Sequence, residues 1–142
     1  MAETSRQSLS RKKIRQHICC LLYSLSFYDE EAYPTCIARD LDEEEIADAD
    51  ARAEISRKAL AVMDRRAQYD QMIDEKSEHW KAKRIARVDL AIIRLALYEM
   101  LEDQDVPVSV AINEAVQLAK RYSSDASPAF VNGVLAQFAD RS

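Results

Sequence analysis

The sequence predicts an all-α protein, and three observations carry that reading. Its 142 residues include a single glycine and three prolines, too few for the frequent turns of a sandwich or barrel. Apolar residues recur at helical spacing through several long stretches. Finally, 48% of residues are apolar and 32% charged, a balance that supports a folded core rather than a disordered chain. With no repeat, low-complexity tract or linker, one domain is expected over residues 1–142, packed as a single compact bundle.

The first helix is expected to start at Ser8 or Ser10, either of which can cap it, and to reach about Phe27. At 100° per residue Ile14, Ile18, Leu21, Leu22 and Leu25 form its core stripe. Lys12, Gln16, Cys19 and Tyr23 fall within about 60° of one another on the opposite, solvent side. A tyrosine there is either a singly exposed ring or a stacking surface. From Asp29 to Asp50 the chain is acidic and interrupted by Pro34, with a short helix expected around 36–47. The run Asp42, Glu43, Glu44 and Glu45 reads as a solvated helical N-terminus favoured by the macrodipole, since no calcium-loop spacing is present.

A long helix is expected over about 52–77, with Ile55, Leu60, Met63, Tyr69, Met72 and Ile73 inward, followed by Trp80 packing in a connection. Residues 84–102 are apolar around most of the circumference and should form a central helix, with Arg87, Arg94 and Tyr98 in its polar strip. Asp89 falls instead among Ile85, Ile92, Ile93 and Ala96, where a carboxylate needs a partner, so its leading reading is structural. Pro107 suits the first turn of the next helix, which buries Val108, Ala111, Ile112, Ala115, Ala119 and Tyr122. Ser127 and Pro128 read as the cap and first-turn proline of the last helix, which buries Val131, Val134, Leu135 and Phe138; its Gly133 suggests a tight crossing.

Composition narrows the function. No stretch approaches the length of a membrane span, and no apolar region follows the N-terminal basic residues as in a signal peptide. Cys19, Cys20 and Cys36 lack metal-ligand spacing and fit reduced thiols in a cytoplasm. One glycine cannot build a phosphate loop, and His17 and His79 sit in no catalytic motif, so neither an active site nor a cofactor is expected.

The net charge of −5 hides an asymmetry. Residues 1–20 carry Arg6, Arg11, Lys12, Lys13 and Arg15 against Glu3; residues 29–54 carry eleven acids against Arg39 and Arg52. Lys81, Lys83, Arg84, Arg87 and Arg94 form a second basic island. Such islands bind a polyanion locally, because screening confines each field to about 10 Å or less. Basic side chains supply phosphate contacts, and rings supply base stacking. The basic first turns, Tyr23, Arg94 and Phe130 are therefore candidate RNA-binding residues.

The segments RVDLAIIRLALYEML, DVPVSVAINEAVQLAKRYSS and SPAFVNGVLAQ resemble, in order and spacing, the signature of the NusB family. SRKKIRQHICCLLYSLSFYDEE is similar to that family's basic opening helix, so the likeness covers residues 8–30 and 76–138, while the acidic middle matches only in helical character. The resemblance implies about seven helices in two roughly perpendicular subdomains. It also implies a transcription antitermination factor that binds boxA RNA as a heterodimer with NusE, a small-subunit ribosomal protein. That pair would act within an RNA polymerase complex, notably on ribosomal RNA operons. The family's arginine-rich motif falls on Arg11, Lys12, Lys13 and Arg15, its functional tyrosine on Tyr23, and its phenylalanine before VNG on Phe130. The acidic and arginine positions of its fifth helix fall on Asp89, a candidate partner contact, and Arg94. Monomer and homodimer both stay open.

Two other functions compete: a targeting domain of an RNA methyltransferase, and a helical adapter whose basic helix meets an acidic protein. A chain ending at Ser142 without a cofactor-binding region is expected to stand apart from the methyltransferases. The sequence departs from the family in being richer in lysine, which contacts phosphate as a point charge rather than a planar fork. It also reads Asp125, Ala126, Ser127 where many members have Glu-Asp-Ser. One carboxylate fewer beside an RNA path lowers repulsion. Ala126→Asp should therefore weaken RNA binding in a titration, and a rise in affinity would contradict the assignment of that path.

Overall fold

In the computed structural model, residues 9–139 are described. They form seven α-helices and two short 3-10 turns, with no strand among the described residues. The helices are α1 Arg11–Leu25, α2 Tyr33–Glu43, α3 Ala49–Asp64, α4 Arg66–Lys76, α5 Arg87–Glu102, α6 Val108–Tyr122 and α7 Ser127–Ala136. Contacts divide the chain into two compact units, one ending at Asp64 and the next beginning at Arg65.

In the first unit, α1 packs on α3, and α2 touches both. Ser10 caps α1, its Oγ accepting the Lys13 backbone N–H at 3.1 Å; Ser8, the other expected cap, lies outside the described residues. The expected stripe of Ile14, Ile18, Leu21, Leu22 and Leu25 is buried. Gln16 and Cys19, assigned to the solvent side, are buried too, at 8% and 3% exposure. The covered arc of α1 is wider than one stripe, which leaves Lys12 and Tyr23 at the two ends of an interrupted face.

The acidic segment corrects the sequence reading. A 3-10 turn, Glu30–Ala32, leads straight into α2, and Pro34 lies in the first turn of that helix, where its missing N–H removes no helical bond. The helix thus starts and ends earlier than expected. Asp42 and Glu43 fall in its last turn, Glu44 at its cap, and Glu45 beyond it with φ 57°. At a helix C-terminus the macrodipole opposes acids rather than favouring them. Arg52 offsets this by donating to the Ile46 carbonyl at 2.9 Å and to Asp42 at 3.0 Å.

The single helix expected over 52–77 is two, broken at Arg65, where the units meet in sequence. No glycine or proline lies between Ala49 and Lys76, so nothing local marks the break. Ile55, Ala59, Val62 and Met63 are buried in α3, and Tyr69 and Ile73 in α4. Leu60, expected inward, is 40% exposed.

In the second unit α5, α6 and α7 pack on one another, and α4 lies against α5. Helix α5 is central as expected, with Ile92, Ile93 and Leu97 fully buried. Tyr98, placed in its polar strip, is buried as well. Ala111, Ala115 and Ala119 of α6 are buried, and such small side chains let neighbouring backbones approach closely. Pro107 stands just before α6 rather than inside its first turn. Val131, Val134, Leu135 and Phe138 are buried, the last just beyond α7.

Gly133 marks no crossing. It is exposed, lies in the middle of α7, and a Cβ built on it meets nothing within 4 Å. Its φ is not positive either. Gly133→Ala should therefore stabilise the protein by about 0.5–1 kcal/mol by lowering unfolded-state entropy. Urea unfolding reads this directly, and unchanged or reduced stability would show a contact or strain at this site.

Candidate nucleic-acid interface

Five sequence-predicted residues belong to the first unit. Lys12 and Lys13 are exposed in the first turn of α1. Arg11 is exposed but held across to α3: its Nη1 donates to Glu54 Oε1 at 2.9 Å, and its Nη2 to Oε2. Lys58 Nζ meets the same carboxylate at 2.9 Å. Hydrogen bonding from Arg11 first, aided by Lys58 and opposed by burial, brings the Glu54 pKa down to about 2. Arg15, one turn beyond Arg11, is half-buried.

Tyr23 is 38% exposed near the other end of α1, about 16 Å along the axis from Lys12 at 1.5 Å per residue. It does not stand alone. The Phe27 ring meets it edge-to-face with centroids 5.1 Å apart, and Phe27 is itself 55% exposed. Tyr28 is exposed beside them, with the Arg39 guanidinium 5.9 Å from its ring centroid. Sequence reading singled out Tyr23 and missed Phe27, Tyr28 and Arg39. Their signal was a pair of aromatics set between the end of a helix and an acidic run.

Three predicted residues belong to the second unit. Arg94 is held by Asp70 through Nε to Oδ1 at 2.9 Å and Nη2 to Oδ2 at 2.6 Å, and its side chain is 12% exposed. Phe130 is half-buried and meets Trp80 edge-to-face, centroids 6.0 Å apart, so the tryptophan packs as expected. Asp89 is 7% exposed in the first turn of α5. Its Oδ1 accepts from Ser123 Oγ at 2.7 Å and its Oδ2 from Ser127 Oγ at 3.0 Å. Ser123 and Ser124 hydroxyls are also bonded to Ser127 Oγ, at 2.8 and 2.9 Å. The carboxylate therefore ties the start of α5 to the α6–α7 connection, which is the structural role its place in the apolar stripe suggested. Ser127 serves this network rather than capping α7.

Of the second basic island, Lys81 donates to the carbonyls of Asp74 and Ser77 at 3.0 and 2.9 Å, closing the end of α4. Lys83, Arg84 and Arg87 are exposed. An open groove of about 540 Å³ between α6 and α7 is lined by Ser109, Ile112, Asn113, Val116, Pro128, Ala129 and Asn132, none of them an acid, base or thiol. Cys19, Cys20 and Cys36 are free thiols, and burial pushes that of Cys19 up to about 12. Among the described residues no cluster of metal-ligand side chains is present, and no helix is long and apolar enough to cross a membrane.

Among the described residues, seven short helices, beginning with the cationic, aromatic-ended α1, define an all-helical fold carrying a candidate polyanion-binding face. The model described as the NusB family matches residues 12–140, and the chain belongs to that family. The transcription antitermination protein NusB of Agathobacter rectalis is 45% identical over 131 residues, which is 92% of this chain and 100% of that protein. T. maritima NusB is similar in structure, with a TM-score of 0.84 and 30% identity over 94% of this chain and 93% of that one. A structure described as antitermination factors NusB and NusE in complex with dsRNA shares the fold at a TM-score of 0.80. That likeness covers 93% of this chain and 97% of the other at 21% identity.

The Arg11–Glu54–Lys58 cluster makes a stability prediction. A carboxylate held low when folded stabilises fully above its ordinary pKa of 4.5, and that contribution is lost as pH falls toward about 2. Glu54→Gln should therefore be less stable than wild type near neutrality, with the gap closing in acid. Urea unfolding from about pH 6 to about pH 2.5 tests it; a pH-independent gap would contradict the pairing.

Proposed function

We propose that this chain is a transcription antitermination factor. In this reading it binds boxA-type RNA together with NusE and joins an RNA polymerase antitermination complex, notably on ribosomal RNA operons. It acts by binding, as one cytoplasmic domain, and catalyses no reaction. Similarity to an antitermination protein over that protein's whole length supports the role. The observation that carries the RNA reading is α1, which presents Lys12 and Lys13 at one end and the exposed Tyr23 ring at the other, with exposed Phe27 just past its end.

Each part of α1 then has its own task. Lys12 and Lys13 contact phosphate, giving affinity that falls with salt and is largely indifferent to sequence. Tyr23 offers a ring to an unstacked base. Arg11, Arg15, Arg94 and Phe130 complete the proposed contacts, with the Arg11 fork engaged by Glu54 and the Arg94 fork by Asp70 in the free protein. Asp89 supports the partner surface indirectly, by fixing α5 and the α6–α7 connection.

Titrating boxA-type RNA with and without NusE across a salt series tests the proposal. NusE should tighten binding. Lys12→Ala and Lys13→Ala should each lower the salt slope by about 0.7 for a single strand. Tyr23→Ala should cost about 1–3 kcal/mol with the slope unchanged. Affinity that NusE does not enhance, or that ignores all three substitutions, would favour a protein-binding adapter.

A further inference from the structure

Glu54 occupies, on Arg11, the place a phosphate would take. Its two oxygens accept from the two terminal nitrogens of the guanidinium, the fork with which arginine also grips phosphate. Arg11 and Glu54 lie 43 residues apart, so their meeting depends on the packing of α1 against α3 and not on helical spacing. The carboxylate also has a second cation, Lys58, one turn further along α3.

The two cations are unequal. The Arg11 side chain is 65% exposed, whereas that of Lys58 is 12% exposed. Arg11 can therefore swing toward a ligand, while Lys58 stays beside Glu54. Breaking an ion pair is costly chiefly when it leaves a charge buried and uncompensated. Here Glu54, itself 19% exposed, keeps Lys58 when Arg11 leaves. The arrangement is that of a cation stored on a carboxylate that tolerates its departure.

We propose that Glu54 is an internal competitor for Arg11, holding the guanidinium in the free protein and yielding it to an RNA phosphate while Lys58 retains the carboxylate. This rests on the RNA-binding reading of α1. Glu54 is then a positioning residue that sets RNA affinity below what the basic first turn alone would give. The two acts of Arg11, holding α1 to α3 and holding RNA, are mutually exclusive.

A double-mutant cycle on the full chain tests this with boxA-type RNA in about 0.1 M salt. Glu54→Gln should tighten RNA binding about two- to fivefold, the scale of one solvent-accessible ion pair. Arg11→Ala should weaken binding, and by more in the Glu54→Gln background than in wild type. Glu54→Asp, which keeps the charge, should stay nearer wild type than Glu54→Gln. A Glu54→Gln protein that binds no tighter, or an equal Arg11→Ala penalty in both backgrounds, overturns the proposal.

Should Glu54→Gln unfold, Lys58→Gln gives the opposite sign. With Lys58 gone, Arg11 is the cation Glu54 retains, so RNA binding should weaken, and that loss should vanish once Arg11 is alanine. A loss that persists without Arg11 overturns the proposal. Wild-type protein that binds no RNA overturns both this and the reading it rests on, whereas wild type that binds RNA but is indifferent to Glu54 overturns this alone.

Discussion

A helix of ten to sixteen residues is marginal by itself in water, because nucleating its first turn is costly and each added residue gains little. All seven helices of the described residues lie in that range. Each therefore depends on the apolar face it buries, and the placement of every functional side chain depends on that burial. Leu25 of α1 and Ile55 of α3 are fully buried, and each such side chain contributes about 1.5–3 kcal/mol. In the second unit the same constraint makes α5 central. It is apolar on so many sides that α4, α6 and α7 all find a surface on it.

Burial of helices rich in charge creates a second requirement, that cations near the packed faces find carboxylates. Arg11 has Glu54, Arg94 has Asp70, and Arg52 has Asp42 together with a backbone carbonyl. A bidentate arginine–carboxylate pair is directional, so it orients the side chain in the free protein, most firmly where the pair is buried as for Arg94. Basic composition therefore overstates the cationic surface. In α1 the exposed charge not drawn into such a fork is that of Lys12 and Lys13, which suits a phosphate contact without planar geometry.

Fold class and most helices were legible because they follow from local periodicity and the scarcity of turn residues. So was Asp89, since a carboxylate within an apolar stripe must find donors. Its serines lie 34 and 38 residues away, and no spacing rule points to them. The Arg11 and Arg94 pairs were invisible for the same reason. A helical wheel gave the centre of the buried face of α1 but not its width, so Gln16 and Cys19 were assigned to the wrong side. The acid run lies at a C-terminal helix end, because Pro34 opens the helix that precedes it rather than interrupting the segment. The break at Arg65 has no local cause; it falls between helices that bury their stripes in different units.

The distribution of charge along α1 then sets a polarity for the proposed RNA complex. Its first turn is cationic, while Asp29, Glu30 and Glu31 follow its far end, beyond Tyr23 and Phe27. Lys12 and Tyr23 are separated by about 16 Å, roughly two Debye lengths at physiological salt. The acids therefore leave the field at Lys12 and Lys13 nearly intact, yet they make the aromatic end a poor place for phosphate. An uncharged base pays no such repulsion and gains from an exposed ring. In the proposed complex one stretch of the strand would set its phosphates at the first turn, and a neighbouring stretch would turn its bases toward Tyr23 and Phe27. A protein with a net charge of −5 can accept a polyanion in this way because the sign of its surface changes over a distance longer than the screening length.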